Sequence, residues 1–473
     1  MVTDSGTNPN PRLDSRLESR RNSVLLAMVV SMALSYMPWY NFSAVLGHIT
    51  KEFGLSTTDS GMIMSAFQAG YVVVVPLTGW LSDRFGAKRT VFWATLATAV
   101  FSTLFSVLAA GKWSILTLRL ATGLSAGAIY VPGMTLLSRW FPGSRRGMAL
   151  GAYTAALVTA YAGGYFIAAP TAAVYGWRMG ILFTSLPGFV GAALVYFAVH
   201  EADGAEVERE RAAGVELEKA DTGEARTEKV GLGSDKLHGQ RETALAAPAS
   251  ARPLAGLAGP ILITIAYVGH MWEQYAFWGW LGPYLSSAAA ATSASTGAGL
   301  SAAAATAWGG RAAALIILLG APATLLWGAV ADRRGRTWAI LLASTCSLIA
   351  ELAVGYLYRY SLGMTVVVAS WIGFWVVADS AIYKAGLTEM VHPRVRATYL
   401  GVQSAIGFAA TIVAPLVFGL VLRHFNGNVS PLAVRSWGPA FLVLGAGTLL
   451  APLGSLLLRA RPDVARLMAA GKM

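Results

Sequence analysis

The chain of 473 residues is 55% hydrophobic and only 13% charged, with a formal net charge of +12. A soluble domain carries about a quarter charged residues, so this composition excludes an ordinary water-soluble globular protein. The single cysteine, Cys346, excludes a disulfide framework, and no Cys/His cluster suggests a structural metal or other cofactor.

In chain order, "MVTDSGTNPNPRLDSRLESRRNS" is polar and basic and leads straight into a segment long enough to span a bilayer. No small-residue cleavage site follows a short apolar core, so the first helix is expected to be retained, with residues 1–22 as a cytoplasmic tail. Apolar runs follow near 23–47, 58–81, 89–110, 114–138, 148–172 and 178–199, a first bundle over 23–199. Residues 200–254 break the pattern with Glu, Lys, Ala and Gly and no aromatic residue, the composition of a mobile cytoplasmic linker. Runs resume near 257–286, 308–331, 337–358, 363–385, 399–422 and 438–459, giving a second bundle over 255–459 and a tail over 460–473. A span needs roughly 20 apolar residues to cross about 30 Å of hydrocarbon. The expected fold is therefore an all-α integral membrane protein of about twelve transmembrane helices in two six-helix bundles. The alanine-rich "SSAAAATSASTGAGLSAAAATAWGG" is expected to be a flexible external loop.

The positive charge sits in alternate short loops: Arg84, Lys88 and Arg89; Arg139, Arg145 and Arg146; Arg333, Arg334 and Arg336; Arg394 and Arg396. That is the positive-inside pattern, which sets both termini in the cytoplasm of a plasma (bacterial inner) membrane. The charge sets orientation and implies no nucleic-acid partner.

The two bundles share a loop. "GWLSDRFGAKR" carries Gly79, Asp83, Arg84, Gly86 and Arg89, and "GAVADRRGRT" carries Gly328, Asp332, Arg333 and Gly335 at the same place in the second half. Two copies in register form an internal repeat. With "RLATGLSAGAIYVP" in the fourth helix and "YAGGYFIAAP" with "GWR" in the fifth and after it, the sequence resembles the major facilitator superfamily. "GHMWEQYAFWGW" and "VADSAIYKAGLTEM" look similar to a bacterial branch near the nitrate, nitrite and cyanate porters, although the second helix has no arginine for an anion clamp. The resemblance implies a transporter whose halves rock about a central site, and no enzyme. The glycines would let backbones approach closely. The acids and arginines of the loops would latch one side, so these nine residues are assigned to gating.

About half of the acids lie in the linker, and those left within helices are Glu273, Glu351 and Asp379. A charge at the bilayer centre costs roughly 2.5–3.5 kcal/mol on insertion scales, so such residues usually mark a pathway or relay. His270, Glu273, Gln274 and Phe277 follow i, i+3, i+4, i+7 spacing and are expected to share one face of the seventh helix, looking into a cavity. Trp371, Trp375, Asp379 and Tyr383 give a four-residue stripe on the tenth. Glu273, His270 and Asp379 are the candidates for proton coupling. Arg119 is the fixed cation, suited to an oxyanion, although the resemblance also gives it a coupling or structural role. Tyr36 and Tyr40 beside Pro38, with Gln68, Gln274, Phe277 and Trp375, complete the candidate substrate contacts. H-x-x-E spacing without a second buried histidine carries little weight as a metal site. The sequence thus points to a secondary transporter, expected to be a monomer, working by proton-coupled symport of a small organic or inorganic anion. Proton antiport exporting an amphipathic or cationic compound is the alternative, and a transporter-like sensor is a third reading.

Overall fold

The computed structural model describes residues 11–141, 143–201, 256–465 and 468. The expected linker lies outside the described residues apart from His200 and Glu201, as do the first ten residues and most of the chain beyond 465. Among the described residues all regular structure is helical, as a chain in hydrocarbon requires unless its strands close into a barrel. Eleven stretches are long and apolar enough to span. The first half holds α1 (Glu18–Ala44), α2 (Thr57–Phe85), α3 (Ala87–Leu108), α4 (Lys112–Trp140), α5 (Arg145–Tyr175) and α6 (Trp177–Ala198). The second opens with α7 (Ala258–Thr296), 39 residues long. It continues through α8 (Ala302–Arg334), α9 (Arg336–Leu357), α10 (Leu362–Met390), α11 (Thr398–Asn426) and α12 (Gly438–Arg459).

The long α7 is not among the eleven, because His270, Glu273, Gln274 and their neighbours dilute its apolar character. Every residue from Glu273 to Ala289 is nevertheless buried. Shielded from lipid by its neighbours, α7 carries polar groups that a peripheral helix could not. The alanine-rich stretch differs from expectation. It extends α7 to Thr296 and starts α8 at Ala302, leaving only a short connection, since alanine is the strongest helix former.

Several spans are interrupted at mid-height. Helix in α1 stops at Ser35 and restarts at Pro38, which has no N–H to continue the ladder. The ladder of α4 is broken between Ala126 and Tyr130, and that of α10 at Asp379. Breaks of this kind present backbone groups toward a protein interior.

The halves meet mainly through α2 against α11 and α5 against α8. At Gly61 an added Cβ would lie 2.5 Å from the Pro415 carbonyl and 3.0 Å from Leu416 Cα, so only glycine permits this approach. The Thr57 hydroxyl donates to the Gly419 carbonyl at 3.0 Å, and the Tyr165 hydroxyl to the Trp278 carbonyl at 2.7 Å. These contacts lie at mid-height or toward the end away from the basic loops. At the basic end each described ion pair stays within one half: Arg145 with Glu18, and Arg336 with Asp332 and Glu389. Gly79 and Gly328, expected to bring backbones together, have nothing within 4 Å of where a Cβ would stand. Among the described residues the halves are thus joined at mid-height and at the end away from the basic loops. No ion pair or side-chain hydrogen bond between described residues joins them at the basic end, which in that sense is parted.

Candidate functional site

The interruption of α10 at Asp379 builds the densest polar cluster. His270 of α7 points at it: Nδ1 lies 3.0 Å from Asp379 Oδ1, and Nε2 lies 2.8 Å from the Ser380 hydroxyl. Tyr383 donates its phenol to Asp379 Oδ2 at 2.6 Å, and the rings of Tyr267 and Tyr383 flank the imidazole. The Ser380 hydroxyl also reaches Gln274 Oε1 at 3.4 Å. A neutral imidazole with its proton on Nδ1 satisfies Asp379 and accepts from Ser380. His270 and Asp379 are both 2% exposed.

The expected shared face of α7 divides. His270 and Gln274 face the α10 break, whereas Glu273 accepts the Ser347 hydroxyl of α9 and lies within electrostatic reach of Glu351 and Asp379. Glu351 is fully buried, accepts from Thr448 of α12 at 2.8 Å, and leaves Oε1 without a partner. Glu273 thus sits inside the second bundle rather than on the cavity face. Phe277 is likewise core. The aromatic stripe also divides at the break: Asp379 and Tyr383 join the cluster, while Trp375 packs 4.8 Å from the Trp327 ring and 5.6 Å from half-exposed Trp371, away from His270.

Arg119, read as a substrate cation, is instead consumed by the break in α1. Its Nη1 donates to the Pro38 carbonyl at 2.7 Å and to Asn41 Oδ1 at 3.4 Å, and Nη2 donates to the Trp39 carbonyl at 2.9 Å. The guanidinium also lies 4.4 Å from the centre of the Phe67 ring. The guanidinium clamps the break, which fixes the rings that follow Pro38.

Those rings form a layer between the halves. Trp39 stands 6.0 Å from Tyr275, Tyr40 is 6.2 Å from Trp278, and Tyr71 is 5.5 Å from Phe408. Tyr36 anchors the layer by donating to the Ala126 carbonyl at 2.8 Å, at the break of α4. Within and beside it, Trp39 Nε1, Tyr40 Oη, Gln68 Oε1 and Trp278 Nε1 are buried without hydrogen-bond partners; Trp39 and Tyr40 face each other but miss bonding geometry. Buried polar atoms are nearly always paired, so four orphans around one layer need a reason.

Lys384, a basic residue within the tenth helix, is expected from the sequence to lie nearer the cytoplasmic end and snorkel. Its side chain is exposed although protein surrounds it deeply, a combination that fits a residue lining a cavity open to solvent and not one facing lipid. Five positions from Asp379 is about 140° of helix turn, so spacing alone puts the two on different faces. Among the described residues no group of three or more His, Cys, Asp or Glu could hold a metal.

The repeated loops sit at the parted end. Gly86 and Gly335 take φ of +85° and +104°, which favours glycine, and so turn α2 into α3 and α8 into α9. Asp83 makes no described ion pair, and Arg84 lies over the Trp80 and Phe85 rings at 5.9 and 5.8 Å. Asp332 is held by Arg336, and Arg333 is exposed. Gly86 and Arg89 face a cavity on the flank of the first bundle, not the cleft between halves.

Residues 28–316 match the family model of the Major Facilitator Superfamily. Similar curated proteins include the D-galactonate transporter of Escherichia coli, 31% identical over 135 residues, covering 28% of this chain and 31% of that protein. The hexuronate transporter of Bacillus subtilis is 28% identical over 178 residues, covering 38% of this chain and 42% of that protein. The chain therefore matches less than half the length of these relatives. Among solved structures, the D-xylose–proton symporter aligns with a TM-score of 0.65 at 15% identity, covering 93% of this chain and 98% of that one. A bacterial homolog of the human lysosomal transporter Spinster, inward-facing and occupied, aligns with 0.68 at 15% identity, covering 96% and 98%. With a family match over more than half its length, twelve long helices and the loop repeated in both halves, the chain belongs to the Major Facilitator Superfamily.

Proposed function

We propose that this protein is a secondary transporter that moves a small hydroxylated organic anion across the bacterial inner membrane together with a proton. The observation that carries the reading is the set of four buried polar atoms without partners at the aromatic layer where the halves meet. A solute with several hydroxyl groups would satisfy them while stacking its C–H faces on the rings, and Lys384 in the cavity would balance its carboxylate. The similarity to galactonate and hexuronate transporters supports sugar acids more than nitrate, nitrite or cyanate. If the basic loops are cytoplasmic, the parted end is the inward one, and both termini face the cytoplasm. The bundles over 23–199 and 255–459 then rock about the aromatic layer, joined by the 200–254 segment. His270 and Asp379 carry the proton, and Ser380 links them to the wall beside Lys384.

Uptake of labelled galactonate and glucuronate into proteoliposomes under an imposed pH gradient tests this. Accumulation is expected when the outside is acidic. Asp379→Asn should abolish the accumulation yet spare exchange of pre-loaded substrate, whereas Glu273→Gln, in its packed position, should change it little. Lys384→Gln should raise KM with smaller change in kcat. Export of either acid against the proton gradient, or gradient-driven uptake unchanged in Asp379→Asn, would overturn the reading.

A further inference from the structure

Among the described residues the basic end of the first loop motif makes no ion pair across the cleft, and its surroundings suggest other work. Gly86, Lys88 and Arg89 border a cavity of about 950 Å³ on the flank of the first bundle, where the start of α1, the α2–α3 turn and the end of α6 come together. Arg20, Lys88 and Arg89 contribute three cations, and Glu201 alone opposes them; its Oε1 accepts the Lys88 backbone N–H at 3.2 Å. The chain's own carboxylate therefore already occupies one anion position. Aromatic rings share the lining with these cations. Phe92 and Tyr196 pack at 5.3 Å, Lys88 Nζ lies 5.8 Å from the Tyr196 ring, and Trp93 and Tyr196 are 63% and 54% exposed. Next to Tyr196, Phe197 is 76% exposed, so the wall continues onto the outer surface of the bundle.

We infer that this cavity binds the headgroup of an anionic phospholipid, with its acyl chains along Trp93, Tyr196 and Phe197. A phosphodiester supplies one of the two negative charges that three cations and one carboxylate leave unbalanced. Trp93 lies near the start of α3 and Tyr196 and Phe197 near the end of α6, the span ends at which such rings are favoured. Basic pockets at the ends of membrane helices suit anionic headgroups, and each Lys or Arg near the surface adds about 1 kcal/mol. A free phosphate would meet the cations but leave the aromatic wall unused. The inference is independent of the transported solute.

The test uses the full chain in detergent, titrated with dioctanoyl phosphatidylglycerol, dioctanoyl phosphatidylcholine or sodium phosphate, with bound lipid counted by native mass spectrometry. Phosphatidylglycerol should bind about tenfold or more tightly than phosphatidylcholine, and the pair Arg20→Gln with Arg89→Gln should remove most of that preference. Glu201→Gln should bind phosphatidylglycerol more tightly than the parent, a gain that misfolding cannot imitate. Equal binding of the two lipids, a Glu201→Gln variant with unchanged affinity, or displacement of phosphatidylglycerol by an equal concentration of phosphate would overturn the assignment.

Discussion

A buried guanidinium needs partners for its donors, and Arg119 finds them at both terminal nitrogens, in the Pro38 and Trp39 carbonyls and the Asn41 side chain, while its Nε is left without one. No acid neutralises it in these contacts; carbonyl dipoles and the Phe67 face do so. Lysine has a point charge where arginine has a planar fork, and cannot span the same two carbonyls. Arg119→Lys should therefore lower thermal stability by on the order of 2 kcal/mol. Uptake should fall in step with the folded fraction, at unchanged KM. A raised KM at unchanged melting temperature would return Arg119 to the substrate. The same logic separates the acids. Asp379 is bonded by the His270 imidazole and the Tyr383 phenol, and Ser380 bonds the far nitrogen of that imidazole; Glu273 holds one serine within a packed bundle.

Among elements, the contact between α2 and α11 sets how tightly the closed end shuts. Gly61 against Pro415 and Leu416 brings two backbones nearer than any side chain allows, and neither backbone can yield without moving a span. Gly61→Val should hold that end ajar. In a Cys346→Ala background, Ser60→Cys, buried in the parent fold, should become accessible to a membrane-impermeant maleimide once Gly61→Val is added. Labelling that stays at the parent level would show that the halves close without this approach. Breaks in α1, α4 and α10 belong to the same scale. Each lies at mid-height and each is tied to a neighbour, by Arg119, Tyr36 and His270 respectively, so the interruptions become fixed parts of the site.

For the molecule as a whole, the asymmetry between a closed end and a parted basic end describes one of two states that a rocking carrier visits. Asp83 is exposed and makes no ion pair among the described residues in this state, so a latch through it would form only when that end closes. Asp83→Asn should slow turnover with little effect on KM, measured as initial uptake rates across substrate concentration; a raised KM at unchanged kcat would remove it from gating. Much of this architecture was legible in the residues. Apolar run length, alternation of basic loops and the repeated Gly-Asp-Arg-Gly loop are local properties of a chain in a bilayer, and they specified twelve long helices in two halves and the family. The rarity of charge in the spans likewise singled out His270, Glu273 and Asp379. Their partners could not be read the same way. Helical spacing says which residues lie near one face, but a packed helix has several neighbours. Only the placement of α9, α10 and α12 around α7 decided that His270 meets Asp379 while Glu273 turns to Ser347. Tertiary packing also turned Arg119 into a clamp and left the Lys384 side chain exposed, because the partners that use up or spare a charge come from helices distant in sequence.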